Sequence, residues 1–391
     1  MTSQTSIVIA GAGIFGLSAA LELRSRGYAV TVVDPGPVPH PLAASNDVSR
    51  MVRMDYADDK LYSDLAAEAI EGWHVLNERR GRPLYHEDGF LVLTSHPLES
   101  PAVERQSYDL LTAAGWPLER LDSGSVAERF PLWNAEHYTD GYYNPRGGWA
   151  EAGETVSFLV AEAEAAGVEI RPGFPATSLL VDSGRAVGLR SADGEEVRAD
   201  AVLVAAGVWT PRLVREMQDM MTPVAQTLVY LRPNLPERFR PPSFPPWGAD
   251  IPRTGWYGFP ANAEGVVKMA NHGPGRVVDA DDPRDAEDAV IESCREFLSH
   301  SLPELANAPL AGSRACFYND TWDADFYITR HPQVEGLTIA TGGSGHAFKF
   351  TPVLGKVTAD VIEGKPNRYA ERFAWRSRGE SPGEATRFAG E

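Results

Sequence analysis

Four separated stretches of the chain concentrate basic and aromatic side chains. The first runs from Ser45 through Asn46, Asp47, Ser49, Arg50 and Arg53 to Tyr56. The second joins Trp256, Tyr257, Phe259 and Pro260 to Lys268 and His272. The third is Cys316-Phe317-Tyr318, and the fourth is Gly342-Gly343-Ser344-Gly345-His346-Ala347-Phe348-Lys349-Phe350. Any one of these cations alone reads as an ordinary solvated surface charge. Together they are local reversals of sign on a chain with 36 basic and 54 acidic residues and a formal charge of -18. An anionic cofactor and a carboxylate substrate need such reversals, because charge-assisted hydrogen bonds hold an anion more strongly than neutral donors do.

The elements that must position these residues begin at the N-terminal end. Ile7-Val8-Ile9-Ala10 is short, apolar and β-branched, the pattern of a fully buried strand. Gly11-Ala12-Gly13-Ile14-Phe15-Gly16 follows, then a helix carrying Leu17, Ala20, Leu21 and Leu23 that Gly27 closes. A second buried strand over 29–33 ends at Asp34. This is G-x-G-x-x-G in a setting of strand, turn, helix, strand and acid, which predicts a dinucleotide site. The first glycine makes the tight turn, the second admits a pyrophosphate to the backbone, and the third lets helix pack on strand. Asp34 is placed for ribose hydroxyls and disfavours a 2′-phosphate. Another buried strand over 200–205 ends in Ala206-Gly207, and it reads equally as a cofactor contact or as a plain sheet strand.

With 391 residues the chain exceeds one ordinary core, so two domains are expected. A composition 43% hydrophobic and 23% charged is globular, and the negative surface makes nucleic acid and anionic membrane poor partners. Two cysteines cannot form a disulfide scaffold and suit a reducing, cytoplasmic location. The apolar run from Ile7 to Leu21 is broken by three glycines with no Lys or Arg before it, so it reads as neither leader nor span. The ending Phe388-Ala389-Gly390-Glu391 is no targeting address, and a soluble, unexported protein is expected. Helical spacing recurs at Leu61, Leu65, Ala69 and Trp73, at 156–165 and at 286–302. Strand-like runs lie at 90–93, 224–231, 314–318, 326–328 and 337–341, and Asp193-Gly194 reads as a hairpin turn. Prolines crowd between Pro233 and Pro260, which predicts loop rather than sheet interior, and the tail after Lys365 reads as a surface extension.

The glycine-rich start, Cys316 upstream of an Asp-x-x-Phe and His331-Pro332, and the Gly-Ser-Gly-His-x-Phe-Lys-Phe string together resemble the D-amino-acid-oxidase-like flavoproteins from about Ser6 to Gly364. The chain is most similar to the branch of monomeric sarcosine, pipecolate, saccharopine and fructosyl-amine oxidases. The resemblance implies an α/β fold: a Rossmann-type FAD-binding domain, p-hydroxybenzoate-hydroxylase-like, with an interleaved α+β substrate domain on an antiparallel sheet. The segments 1–84, 139–217 and 310–391 would form the first, and 85–138 with 218–309 the second. No metal is implied, and a monomer is expected.

The family pattern also implies roles. Cys316 matches the cysteine that tethers FAD covalently, while Cys294 reads as core. Lys268 matches the lysine that speeds reaction with O2, since a fixed ammonium stabilises a developing superoxide. His272, Tyr257 and Tyr318 match active-site residues, His272 reading equally as structural. Arg53 and Lys349 match the pair that holds the substrate carboxylate, and Arg50 the arginine beside the isoalloxazine ring. Beyond Gly11, Ala12, Gly13, Ile14, Phe15, Gly16 and Asp34, the cofactor contacts implied are Ser45, Ser49, Arg50, Ala176, Ala206, Gly207, Trp209, Gly343, Gly345, His346, Phe348 and Lys349.

Asn46 departs from the histidine of sarcosine oxidases and is placed at the substrate, which favours a bulkier or cyclic secondary amine over sarcosine. The reaction implied is hydride transfer from an amino acid's amine carbon to FAD, giving an imine, with O2 reduced to hydrogen peroxide. Deglycation of fructosyl amines and a dehydrogenase passing electrons to another acceptor are alternatives. An NAD-dependent dehydrogenase would leave Cys316 and the 342–349 string unexplained, and a protein holding FAD without turnover is the remaining alternative.

Overall fold

A computed structural model describes residues 4–99 and 102–379. Ser6–Ala10 and Ala29–Asp34 lie within a six-stranded sheet of order Tyr327–Arg330, Leu337–Thr341, Ala201–Val204, Ser6–Ala10, Ala29–Asp34, Glu169–Pro172. Neighbours are parallel except Tyr327–Arg330, which returns antiparallel beside Leu337–Thr341. Parallel strands need both faces covered, which is why Ile7 to Ala10 and Ala201 to Val204 are apolar at every position. One face, with Ile7, Ile9 and Leu203, packs on the helices Ile14–Ser25, Lys60–Arg80, Ala152–Ala165 and Thr351–Glu363. The other, with Val8, Val33 and Val202, packs on a three-stranded antiparallel sheet that contains the expected hairpin at Asp193-Gly194.

A second, larger sheet has the order Arg276–Val277, Met221–Leu231, Val267–Asn271, Trp256–Gly258, Trp247–Ala249, Phe90–Thr94, Asp140–Asn144, Glu119–Asp122. Leu310–Thr321, which the sequence reading groups with the cofactor-binding segments, pairs along its length with Met221–Leu231. All pairings are antiparallel except Trp247–Ala249 beside Phe90–Thr94. Side chains alternate between the faces. Val229, Leu231, Trp256, Val267 and Met269 enter a core with Phe297 and Leu298. Leu228, Tyr230, Tyr257, Ala270, Cys316 and Tyr318 gather on the opposite face. A small sheet of Arg50–Val52, Gly148–Ala150 and Tyr85–His86 carries the first basic cluster.

Two expectations are corrected. The proline-rich stretch is not all loop, because Trp247–Ala249 and Trp256–Gly258 are strands inside the larger sheet. The prolines flank these strands and leave their backbone donors intact, and the carbonyl of Pro246 accepts from Leu91 N at 2.9 Å. The segment after Lys365 is not a loose extension either. Phe373 is fully buried against Tyr62 and Phe326. Arg372 pairs with Asp59, the N-cap of Lys60–Arg80, at 2.7 Å, and Arg376 holds Asp323 at 2.7 Å and the Phe326 carbonyl at 3.0 Å. The expectation for Phe388–Glu391 lies outside the described residues. Removing a buried phenyl ring loses both its transfer energy and its packing, so Phe373→Ala should cost about 3–5 kcal/mol, read as a lowered denaturant midpoint at unchanged slope.

Candidate active site

The glycine turn, the strand ends at Ala205 and Phe174, and the glycine string at 342–345 enclose a cavity of about 670 Å³. Gly11 holds φ +108°, and a Cβ there would strike the carbonyl of Ala205. A Cβ on Gly16 would strike the carbonyl of Gly11, so helix and turn touch backbone to backbone. At Gly13, the N-cap of Ile14–Ser25, a Cβ would meet only Ser45 Oγ, at 3.2 Å. The helix's unpaired N–H groups therefore open toward the cavity beside an uncluttered backbone. Asp34 Oδ2 accepts from Ala12 N at 2.9 Å and Oδ1 from Gly36 N at 3.2 Å, which fixes the carboxylate at the cavity wall. Burial pushes its pKa up, against the pull of these two donors. A cradle of this size, with bare glycine backbone, a helix N-terminus and an acid at one end, fits a dinucleotide.

A second, smaller cavity of about 60 Å³ adjoins it, and Arg50, Tyr318, Gly345 and Phe348 line both. Its remaining wall includes Met51, Arg53, Phe90, Tyr257, His272 and Lys349. Three cations and no carboxylate line it. Arg53 lies 5.2 Å and Lys349 Nζ 5.0 Å from the centre of the Tyr56 ring, so one tyrosine brings the two cations together. Arg53 is buried, and the buried Asp55 carboxylate, which takes hydrogen bonds from Tyr142 and Asn144, interacts with it electrostatically from outside the cavity wall. Lys349 Nζ donates to Tyr56 Oη at 2.7 Å and to the His346 carbonyl at 2.9 Å. His346 Nε2 lies 3.0 Å from the Ala324 carbonyl, which can only accept, so this nitrogen carries the hydrogen. In the neutral ring Nδ1 then accepts from Tyr56 at 3.1 Å, and the chain Lys349–Tyr56–His346–Ala324 runs in one direction.

Behind the junction Lys268 is almost fully buried and lines neither cavity. It donates to Ser49 O at 2.6 Å, pairs with Asp47 Oδ2 at 2.6 Å and sits 4.6 Å over the Phe259 ring. Arg50 also pairs with Asp47 and reaches Cys316 Sγ at 3.4 Å. Burial alone disfavours the Asp47 carboxylate, but Arg50, Lys268 and Arg314 outweigh it and hold the group well below the usual carboxylate range. Lys268 faces one anion and one nearby cation. Burial lowers it, Asp47 pulls it back, Arg50 pushes it down again, and the balance is about 7. Tyr257 and Tyr318 approach hydroxyl to hydroxyl at 3.3 Å, and burial raises both, so they are neutral at physiological pH.

The structure gathers most of the residues singled out from the sequence. Gly11, Gly13, Ile14, Phe15, Ser45, Ala176, Ala206, Gly207, Trp209 and Gly343 line the large cavity with Asp34 and Arg50. His346 and Lys349 line only the smaller one, whereas Ala12, Gly16, Ser49 and Cys316 line neither. Ser49 acts through its carbonyl, and its buried Oγ has no partner among the described residues. Asn46 also lines neither cavity: its amide donates to His40 O at 3.3 Å, and its carbonyl accepts from Arg314 at 2.5 Å. That differs from the expected place at the substrate. Cys294 lies in the core, where burial raises its thiol to about 12. The sequence reading missed Tyr230 and Arg314, and named Asp47 and Tyr56 in the first cluster without giving them a role. The alternation of Tyr230, Leu228 and Gln226 against Lys268, Arg314 and Cys316 is the signal that marks a shared face.

A dinucleotide cavity joined to a small cationic chamber is the layout of an oxidoreductase. The chain belongs to the family of FAD dependent oxidoreductases (DAO), whose model matches residues 6–361. It is 29% identical to N-methyl-L-tryptophan oxidase of Citrobacter koseri, over 92% of this chain and 95% of that enzyme. It is also 29% identical to L-saccharopine oxidase of Schizosaccharomyces pombe, over 95% and 93% of the two chains. Monomeric sarcosine oxidase of Bacillus sp. is 24% identical over 93% and 94%. Among solved structures, the deglycating fructosamine oxidase (Amadoriase II) of Aspergillus fumigatus superposes with a TM-score of 0.85 at 26% identity, covering all of this chain and 94% of that one. Among the described residues no helix is long and apolar enough to cross a membrane.

Proposed function

We propose that the protein is an oxidase of secondary-amine amino acids, N-alkylated or cyclic. The observation that carries this reading is the buried guanidinium of Arg53 set with Lys349 about Tyr56 in a chamber whose described wall holds no carboxylate, the nearby buried Asp55 lying outside that wall. A substrate carboxylate supplies the missing anion, held by charge-assisted hydrogen bonds that fix its orientation. The same cations disfavour a protonated substrate amine, so the nitrogen keeps the lone pair that C=N formation requires. Tyr257 and Tyr318, neutral and paired, present hydroxyls without adding charge. FAD, when bound, supplies the acceptance of two electrons from the substrate C–H bond and their delivery to O2 as hydrogen peroxide. The residues of this chain that would hold it are the glycine turn, Asp34, Ala206, Gly207 and the 342–345 string. Lys268 stands behind Arg50 as a fixed cation where charge develops on oxygen. Cys316 anchors the cofactor covalently, a reading supported by its flanking match and by its neighbours Phe317 and Tyr318 in the cavity wall. The imine leaves for hydrolysis by water.

An anaerobic screen of N-methyl amino acids, pipecolate, proline, saccharopine and fructosyl amino acids, read as flavin bleaching, tests the reading. Free acids should bleach the flavin and their amides should fail to, whereas equal bleaching by both would remove the clamp. Acid-precipitated protein should stay yellow, and Cys316→Ala should release the colour. Lys268→Met should slow reoxidation by O2 about 10²–10³-fold while altering anaerobic reduction far less. Because the ammonium is the protonated form, reoxidation of the unmodified enzyme should fall as pH rises through about 7.

A further inference from the structure

Among the described residues, Asp47 is the only carboxylate ion-paired with Lys268, Arg50 or Arg314. Its side chain is 1% exposed. Oδ2 lies 2.6 Å from Lys268 Nζ and also takes Arg50. Oδ1 accepts from Tyr230 Oη at 2.8 Å and from Val48 N at 2.7 Å, with Arg314 Nη2 at 3.9 Å. The carbonyl of Ser49 is a second bridge, taking Lys268 at 2.6 Å and Arg50 at 3.2 Å. Two cations that repel each other are thus held by one carboxylate and one carbonyl from adjacent turns of the same loop. The groups acting on Lys268 are Asp47, Arg50 and Cys316. Its cross-strand partner is Tyr230, and Phe259 lies beneath its ammonium. Tyr257, Tyr318 and Cys316 act on Arg50 from the same sheet.

We propose that Asp47 is a positioning residue: one buried carboxylate ties Lys268 to Arg50, keeps the lysine cationic behind the junction of the two cavities, and so sets the pH range of oxygen reduction. Its consequence for turnover rests on the oxidase reading above, but the pairing itself does not. Without Asp47 the lysine keeps its burial and the repulsion of Arg50 and loses the group that opposes them most. The amine would then be uncharged at neutral pH, and Arg50 would be free to turn away from Ser49.

The chain has five lysines, at 60, 268, 349, 356 and 365, so the titration of a single ammonium can be resolved. Full-length, flavin-loaded protein labelled with [ε-13C]lysine would be titrated by NMR, with Lys268→Met identifying the signal. Asp47→Asn should move the Lys268 midpoint down by about one pH unit or more, and Asp47→Glu should restore most of it. Lys60, Lys356 and Lys365 should not move, and the pH at which reoxidation declines should shift with Lys268. An unmoved Lys268 in Asp47→Asn overturns the proposal, as does failure of the glutamate to restore it. If the asparagine variant does not fold, Asp47→Ser, which leaves Tyr230 an acceptor, is read in the same way. Failure of both to fold, together with Asp47→Asn/Lys268→Met, assigns Asp47 to structure alone and overturns it too. The titration needs no amine, so a protein that oxidises none of those tried would still report the pairing.

Discussion

The antiparallel register from Met221 opposite Thr321 to Leu231 opposite Leu310 is the constraint on which the site depends. Because side chains alternate, this one register decides that Arg314, Cys316 and Tyr318 share a face with Leu228, Gln226 and Val224. Val267–Asn271 docks on the same strand with Lys268 opposite Tyr230, and Trp256–Gly258 docks beside it with Tyr257 opposite Ala270. A slip of Val267–Asn271 by one residue would send Lys268 into the apolar core beside Val229 and turn Val267 and Met269 toward the cavities. The cost of burying an unpaired ammonium on one side and exposing apolar surface on the other specifies the register strongly.

Charge is managed by confinement. An acidic chain keeps three cations on the wall of the small chamber and places the carboxylates that act on them, Asp47 on Arg50 and Asp55 on Arg53, outside that wall. The chamber remains positive toward a ligand, while Arg50 and Lys268 are still paired from behind. Lys349 is steadied differently, through the Tyr56 hydroxyl and the His346 ring, which ends on a backbone carbonyl.

Much of this was legible in the residues. The 6–34 segment carries its fold locally, since each glycine and the terminal aspartate have a backbone reason to be there. Arg53, Lys349 and Tyr257 were legible through family resemblance, and the structure sets them around one chamber. Tyr56, Tyr230 and Arg314 were not, because their partners lie 290, 183 and 268 residues away for the bonds to His346, Asp47 and Asn46, and no local pattern announces a contact of that range. Asn46 was placed at the substrate by its family match, and a match in position does not say which side of a loop a side chain leaves from; it lines neither cavity. The strand Trp247–Ala249 was hidden by prolines that delimit it, and Phe373 by the polar residues around it.

The six-stranded sheet draws its neighbouring strands from opposite ends of the chain, with Ala201–Val204 between Ser6–Ala10 and Leu337–Thr341. Arg372 and Arg376 then fasten the latest described segment onto Asp59 and Asp323. Loops of hundreds of residues must close before these pairings return any free energy, so the entropic barrier comes early and its reward late. During synthesis the glycine turn emerges long before the strands that wall it, and the cradle is complete only when nearly the whole chain has been made. The order of events in the cell is therefore polypeptide first and prosthetic group afterwards.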